Sequence, residues 1–86
     1  MQVELAALLH SYTGGKRVVE AEGATLAAVL EDLDHRFPGI RFRVVDEQDR
    51  VRPHVRCFVN DTDARDVAVP LRDGDRVYIV GALSGG

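Results

Sequence analysis

The sequence predicts an α+β roll: a mixed sheet of four to five short strands with one main helix packed on one face. Three observations predict it. Apolar and polar residues alternate in short runs near both ends of the chain, a middle segment repeats its apolar residues at helical spacing, and turn-forming clusters separate the runs. A single helix crossing between strands packs on one side of the sheet, which leaves the opposite face open.

Taken in order, the opening MQVELAALL alternates Val3, Leu5 and Ala7 against Glu4 and Ala6, a strand period. No capping residue precedes its Ala/Leu stretch, and HSYTGGKR follows as a turn with Gly14-Gly15 at the tip. Residues 17–21 form a second strand and complete a hairpin. Thr25 caps the helix, and Leu26, Val29, Leu30, Leu33 and Phe37 follow on one helical face with Glu31, Asp32 and Asp34 off it. Pro38-Gly39 stops it, because proline pushes the preceding residue out of the helical region. Residues 40–53 read as a charged, irregular loop.

Residues 54–59 are a third strand, with Val55, Cys57 and Val59 on one face and His54, Arg56 and Phe58 on the other. Residues 60–63 are turn chemistry, residues 67–69 a short apolar strand, and Asp73-Gly74-Asp75 a further turn. Residues 76–80 are the last strand: Val77 and Ile79 face in, while Arg76, Tyr78 and Val80 face out. The domain spans residues 1–80, and residues 81–86 form a flexible tail ending in Gly-Gly.

Composition narrows the function classes. At 86 residues the chain buries only about 60–65% of its unfolded surface, enough for a core but not for a deep active site as well. A net charge of −3 argues against a nucleic-acid binder. Arg41, Arg43, Arg50, Arg52 and Arg56 alternate with Asp46, Glu47 and Asp49, which reads as a solvated mixed-charge segment or as a patch facing a partner. Cys57 is the only cysteine, so no internal disulfide forms. His10, His35 and Cys57 follow no metal-ligand spacing, and no metal is expected. Cys57 and His54 stand on opposite strand faces, against a nucleophile–base pair and for a buried structural thiol. Asp61, Asp63, Asp73 and Asp75 read as turn formers. No signal-like start or long apolar run is present, and a soluble, cytoplasmic protein without a membrane partner is the expectation.

Three stretches carry a family resemblance: FVND (residues 58–61), LRDGDRVYIV (residues 71–80) and TLAAVLEDLDHRFPGI (residues 25–40). In this order, with Gly85-Gly86 soon after the last strand, they resemble the ubiquitin-like β-grasp sulfur carriers of the MoaD/ThiS family over nearly the whole chain. HSYTGGKRVVEAEGATLAAVL and the arginine-bearing insert are most similar to the carriers that feed cysteine biosynthesis in actinobacteria. Gly81 stands where many members have proline.

The resemblance implies a carrier, not an enzyme, that binds no cofactor. Its Gly86 carboxylate would be adenylated with ATP by a ubiquitin-activating-type adenylyltransferase of the ThiF/MoeB kind and converted to a thiocarboxylate. The sulfur would pass to a biosynthetic enzyme such as a cysteine synthase, a thiazole synthase-like protein or the large subunit of molybdopterin synthase. The residues suit this. An α-carboxyl with a pKa of about 3.3–3.7 is ionised at neutral pH and needs activation before a nucleophile can displace oxygen. Gly81, Ala82, Leu83, Ser84, Gly85 and Gly86 reach about 20 Å when extended, and the glycines can thread a narrow channel. Phe58, Tyr78, Val80 and Arg56, on the open sheet face, are the expected docking surface. Three alternatives stay open: the small subunit of molybdopterin synthase, a non-covalent ubiquitin-like interaction module, and a modifier attached to lysines.

Overall fold

The alternation at the start of the chain becomes strand β1 (Gln2–Leu5), with Val3 and Leu5 buried. The computed structural model describes residues 1–81. The chain does not turn back at once. A 3-10 helix (Ala7–Tyr12) intervenes where a plain turn is expected, because Leu9 finds a place in the core and His10 Nε2 bonds the Leu5 carbonyl at 2.9 Å. Gly14 and Gly15, both at positive φ, then reverse the chain into β2 (Val18–Glu20), which pairs antiparallel with β1.

Helix α1 (Leu26–Arg36) buries Leu26, Val29, Leu30 and Leu33, as their spacing predicts. Thr25 Oγ1 accepts from Ala28 N at 3.2 Å, the expected cap. Two more of the N–H groups that a helix start leaves unpaired find partners outside it. Leu26 N donates to Val69 O at 3.1 Å and Ala27 N to Val67 O at 2.8 Å. Residues 67–69 are therefore not the short strand expected but a turn whose carbonyls cap α1. Phe37 lies just past the helix and packs against the core.

The segment 40–53 is more ordered than a charged loop. Asp34 Oδ1 accepts from Gly39 N and Arg41 N at 3.0 and 3.1 Å and starts a second helix, α2 (Ile40–Val44), which buries Ile40 and Val44. The i, i+4 pair was present in the sequence but sat among arginines. Beyond α2, Val45 bridges Val51 around Asp46, whose Oδ1 accepts from Gln48 N and Arg50 N. Those backbone bonds, Arg50 N first, hold the Asp46 carboxyl below its ordinary range.

Strands β3 (Val55–Val59) and β4 (Thr62–Asp63) form a hairpin around Asn60-Asp61, with Asn60 at φ 55°. The expected four-residue turn is thus a two-residue one, and Asp63 is a strand residue. The last strand, β5 (Arg76–Gly81), runs parallel to β1 and antiparallel to β3. The sheet is mixed, five-stranded and ordered β2-β1-β5-β3-β4, with the helices over its inner face, which is the β-grasp that the resemblance implies. Val3, Leu5, Val19, Val55, Cys57, Val77 and Ile79 form that inner face.

Candidate docking face and carboxyl-terminal strand

The register of β5 decides what the outer face presents. Its start is anchored by two side chains read as turn chemistry. Asp75 accepts from Arg72 N at 2.9 Å and from Asn60 Nδ2 at 3.2 Å, while Asn60 Oδ1 accepts from Arg76 N at 3.1 Å. The backbone N–H of Arg72 first, and then the side-chain amide of Asn60, lower the Asp75 carboxyl pKa. This ties the β3–β4 turn to the entry of β5 and sets Phe58 opposite Tyr78 and Arg56 opposite Val80.

All four residues expected to face a partner therefore lie together as two adjacent cross-strand pairs. Tyr78 is also opposite Glu4, and Glu4 is opposite Val18, so Val18, Glu4, Tyr78, Phe58 and Asp63 make one row across the five strands. Among the described residues no helix covers this row. Phe58, Tyr78 and Val80 are half-buried and Val18 is 41% exposed. Arg56 Nη1 lies 3.4 Å from Asp63 Oδ2, and Arg65 Nε lies 3.9 Å from the same oxygen. An aromatic centre with a charged rim has the anatomy of a protein interface. Glu4 and Val18 were missed as members, although strand parity in VEL and VVE places both outward.

Gly81, read as the first tail residue, is the last residue of β5 and the partner of Val55. A Cβ built on it would stand 3.0 Å from Leu8 Cδ2, the end of an exposed side chain of the 3-10 helix, so glycine leaves room for Leu8 beside the end of the strand. Nothing in the sequence singles out Leu8, because the contact joins positions far apart in the chain. Ala82, Leu83, Ser84, Gly85 and Gly86, the rest of the expected tail with its reactive carboxylate, lie outside the described residues.

Cys57 is fully buried on the inner face, and that burial, reinforced by Asp63, pushes its pKa up to about 12. His54 is exposed and just outside β3, so the two form no catalytic pair. A thiol pKa raised by folding means that the native state favours the protonated form. The associated stability is lost as pH climbs from the ordinary thiol range towards 12. At pH 8 the folded protein is expected to resist iodoacetamide for hours and to be alkylated at Cys57 only on unfolding, checked by intact mass. Rapid labelling of the native protein would show the site to be open.

Comparison with known proteins agrees with this architecture. The ThiS family profile matches residues 3–86. The chain is 38% identical over 89 residues to the sulfur carrier protein CysO of Mycobacterium tuberculosis, covering 98% of this chain and 96% of that protein. The crystal structure of Mycobacterium tuberculosis CysO superposes with a TM-score of 0.90 at 36% identity, over 95% of this chain and 98% of the other. A chain from the Amycolatopsis orientalis BexX/CysO complex does so at 0.90 and 34% identity, over 99% and 98%. With its β-grasp sheet, single main helix and near-complete alignment to a sulfur carrier, the chain belongs to the ThiS family.

Proposed function

We propose that this protein is a sulfur carrier whose Gly86 carboxylate is the group modified, a co-substrate rather than a catalyst. The observation that carries the reading is the whole-chain likeness to a sulfur carrier. The geometry supports it, since the outer face is uncovered beside β5, the strand that leads to the tail.

The chemistry balances as two substitutions. A Gly86 carboxylate oxygen attacks the α-phosphorus of ATP in a ThiF/MoeB-type partner, and pyrophosphate leaves. Sulfur from a sulfide-level donor then adds to the acyl-adenylate carbonyl, AMP leaves with the C–O electron pair, and a thiocarboxylate remains. The carrier itself binds no cofactor in this scheme, and the ATP belongs to the partner. A cysteine synthase is the first candidate acceptor, following the likeness to CysO, and ATP-dependent activation suits the cytoplasm. Among the described residues no helix is long and apolar enough to cross a membrane. A family relative has been crystallised in complex with BexX, and docking through the outer face is the corresponding event here.

The test is intact mass after incubation with ATP, the activating enzyme and sulfide. The expected result is a gain equal to one oxygen-for-sulfur exchange. An unchanged mass with an active partner would favour a non-covalent module. For docking, Phe58→Ala is preferable to aspartate, which would face Asp63 across the β3–β4 pair. It is expected to weaken binding to the activating enzyme by about 30-fold, the effect of losing a hot-spot aromatic, with thermal unfolding nearly unchanged. Equal affinity by calorimetry would remove Phe58 from the interface.

A further inference from the structure

Strand β2 ends the sheet, with β1 as its single neighbour in the order β2-β1-β5-β3-β4. Leu5 N donates to Arg17 O at 2.7 Å and Ala21 N to Met1 O at 3.1 Å, so odd-numbered residues along β2 turn their backbone groups towards β1. The N–H and C=O of Val18 and Glu20 therefore point away from the sheet, and none of these four groups has a partner among the described residues. Both residues are exposed. An open groove of about 400 Å³ runs between the strand and Arg36 and Phe37 at the end of α1, so the helix does not cover the edge. The free stretch is bounded on both sides: Lys16 O accepts from Thr13 Oγ1 at 2.7 Å, and Glu22 N donates to Asp32 Oδ2 at 2.8 Å.

An uncovered edge with unpaired groups is a template for another chain. The residues along it select which one. Lys16-Arg17-Val18-Val19-Glu20-Ala21-Glu22 is basic before the valines and acidic after them, so the segment is complementary to itself run backwards. In an antiparallel pairing about Val19, Val18 lies opposite Glu20 of the second copy. The two such pairs exchange N–H···O bonds that use every free group on both edges.

The same register sets Lys16 opposite Glu22 of the second copy and diagonal to its Glu20. Lys16 and Glu22 form no ion pair among the described residues. Glu20 lies 3.4 Å from the Met1 ammonium, yet its side chain is 67% exposed. A parallel copy in register would instead set lysine beside lysine and glutamate beside glutamate.

We propose that two copies of this chain associate through β2, antiparallel and two-fold symmetric about Val19, joining two five-stranded sheets into one. The proposal rests on the sheet edge and not on the sulfur chemistry. Strand β1 separates β2 from β5, so β5 and the Phe58–Tyr78 pair stay uncovered in both copies. A strand of three residues buries much less than the roughly 800 Å² per partner of a stable dimer, so the association is weak, with a Kd on the order of 1 mM.

The test is an amide NMR dilution series of the full chain at low salt, from millimolar to tens of micromolar, with sedimentation equilibrium reading the mass. The expected result is a monomer–dimer isotherm in which the Val18 and Glu20 amides shift most. Lys16→Glu/Arg17→Glu and Glu20→Lys/Glu22→Lys each set like charges together at both ends and are expected to weaken self-association about tenfold. An equimolar mixture of the two variants restores opposite charges at both ends and is expected to regain association. All four substituted side chains are exposed, and unchanged shifts elsewhere report that the variants are folded. A monomeric mass at millimolar chain would leave the edge to a different protein and overturn the proposal. Self-association that ignores the charge swaps, a mixture that fails to regain it, or shifts centred on Phe58 and Tyr78 would overturn it as well.

Discussion

Adding one alanine after Gly86, or deleting Gly86, is expected to abolish the gain of sulfur mass while leaving the melting temperature of the domain unchanged. Either change still leaves a terminal carboxylate with the same intrinsic acidity, so position alone is altered. One residue moves that group by about 3.5 Å along an extended tail. A misplacement of about 1 Å already costs on the order of a hundredfold in a positioned reaction. A loss beyond a hundredfold in adenylation is therefore expected, measured by pyrophosphate release and by intact mass. Buried Cys57 serves as an internal control, since alkylation of the native, thiolated protein labels the new sulfur and spares this thiol. Full activity of the extended chain would assign the chemistry elsewhere.

The second large effect lies far from the tail. Gly23→Ala is expected to destabilise the domain by about 2–3 kcal/mol, the cost of overpacking a rigid site. A Cβ at residue 23 would stand 2.6 Å from Val29 N and 2.8 Å from both the carbonyl carbon and the Cβ of Ala28. Two of those atoms are backbone in the first turns of α1, where no side chain can swing aside. Alanine also restricts the unfolded chain, which by itself favours folding by about 0.4–1 kcal/mol. The clash is larger, so the sign is destabilising. A fall in melting temperature on the order of 15 °C follows for a domain of this size, read by circular dichroism. A change of a degree or two would show that the chain before α1 yields easily. Gly14, Gly15 and Gly74, where nothing lies within 4 Å of an added Cβ, are the comparison set for separating steric cost from the cost of positive φ.

What could be read directly was local. Thr25 and the Leu26, Val29, Leu30, Leu33 stripe specify α1, because capping and helical periodicity act within a few residues. Strand parity put Val77, Ile79 and Cys57 inside and Phe58 and Tyr78 outside, since alternation is a property of the strand itself. The family motifs carried the fold class and the carrier role.

What local pattern could not determine depends on which distant segments meet. Ile40 and Val44 become a helix because Asp34 caps it and the core accepts both side chains, despite the arginines between them. Residues 67–69 serve α1 as acceptors, the Val67 and Val69 carbonyls taking the N–H groups of Ala27 and Leu26, rather than as a strand, because the helix start lies against them. Above all, the parallel pairing of β1 with β5 aligns Val18 and Glu4 with Tyr78 and Phe58. Each strand declares its own outward residues; only the long-range ladder decides which of them become neighbours.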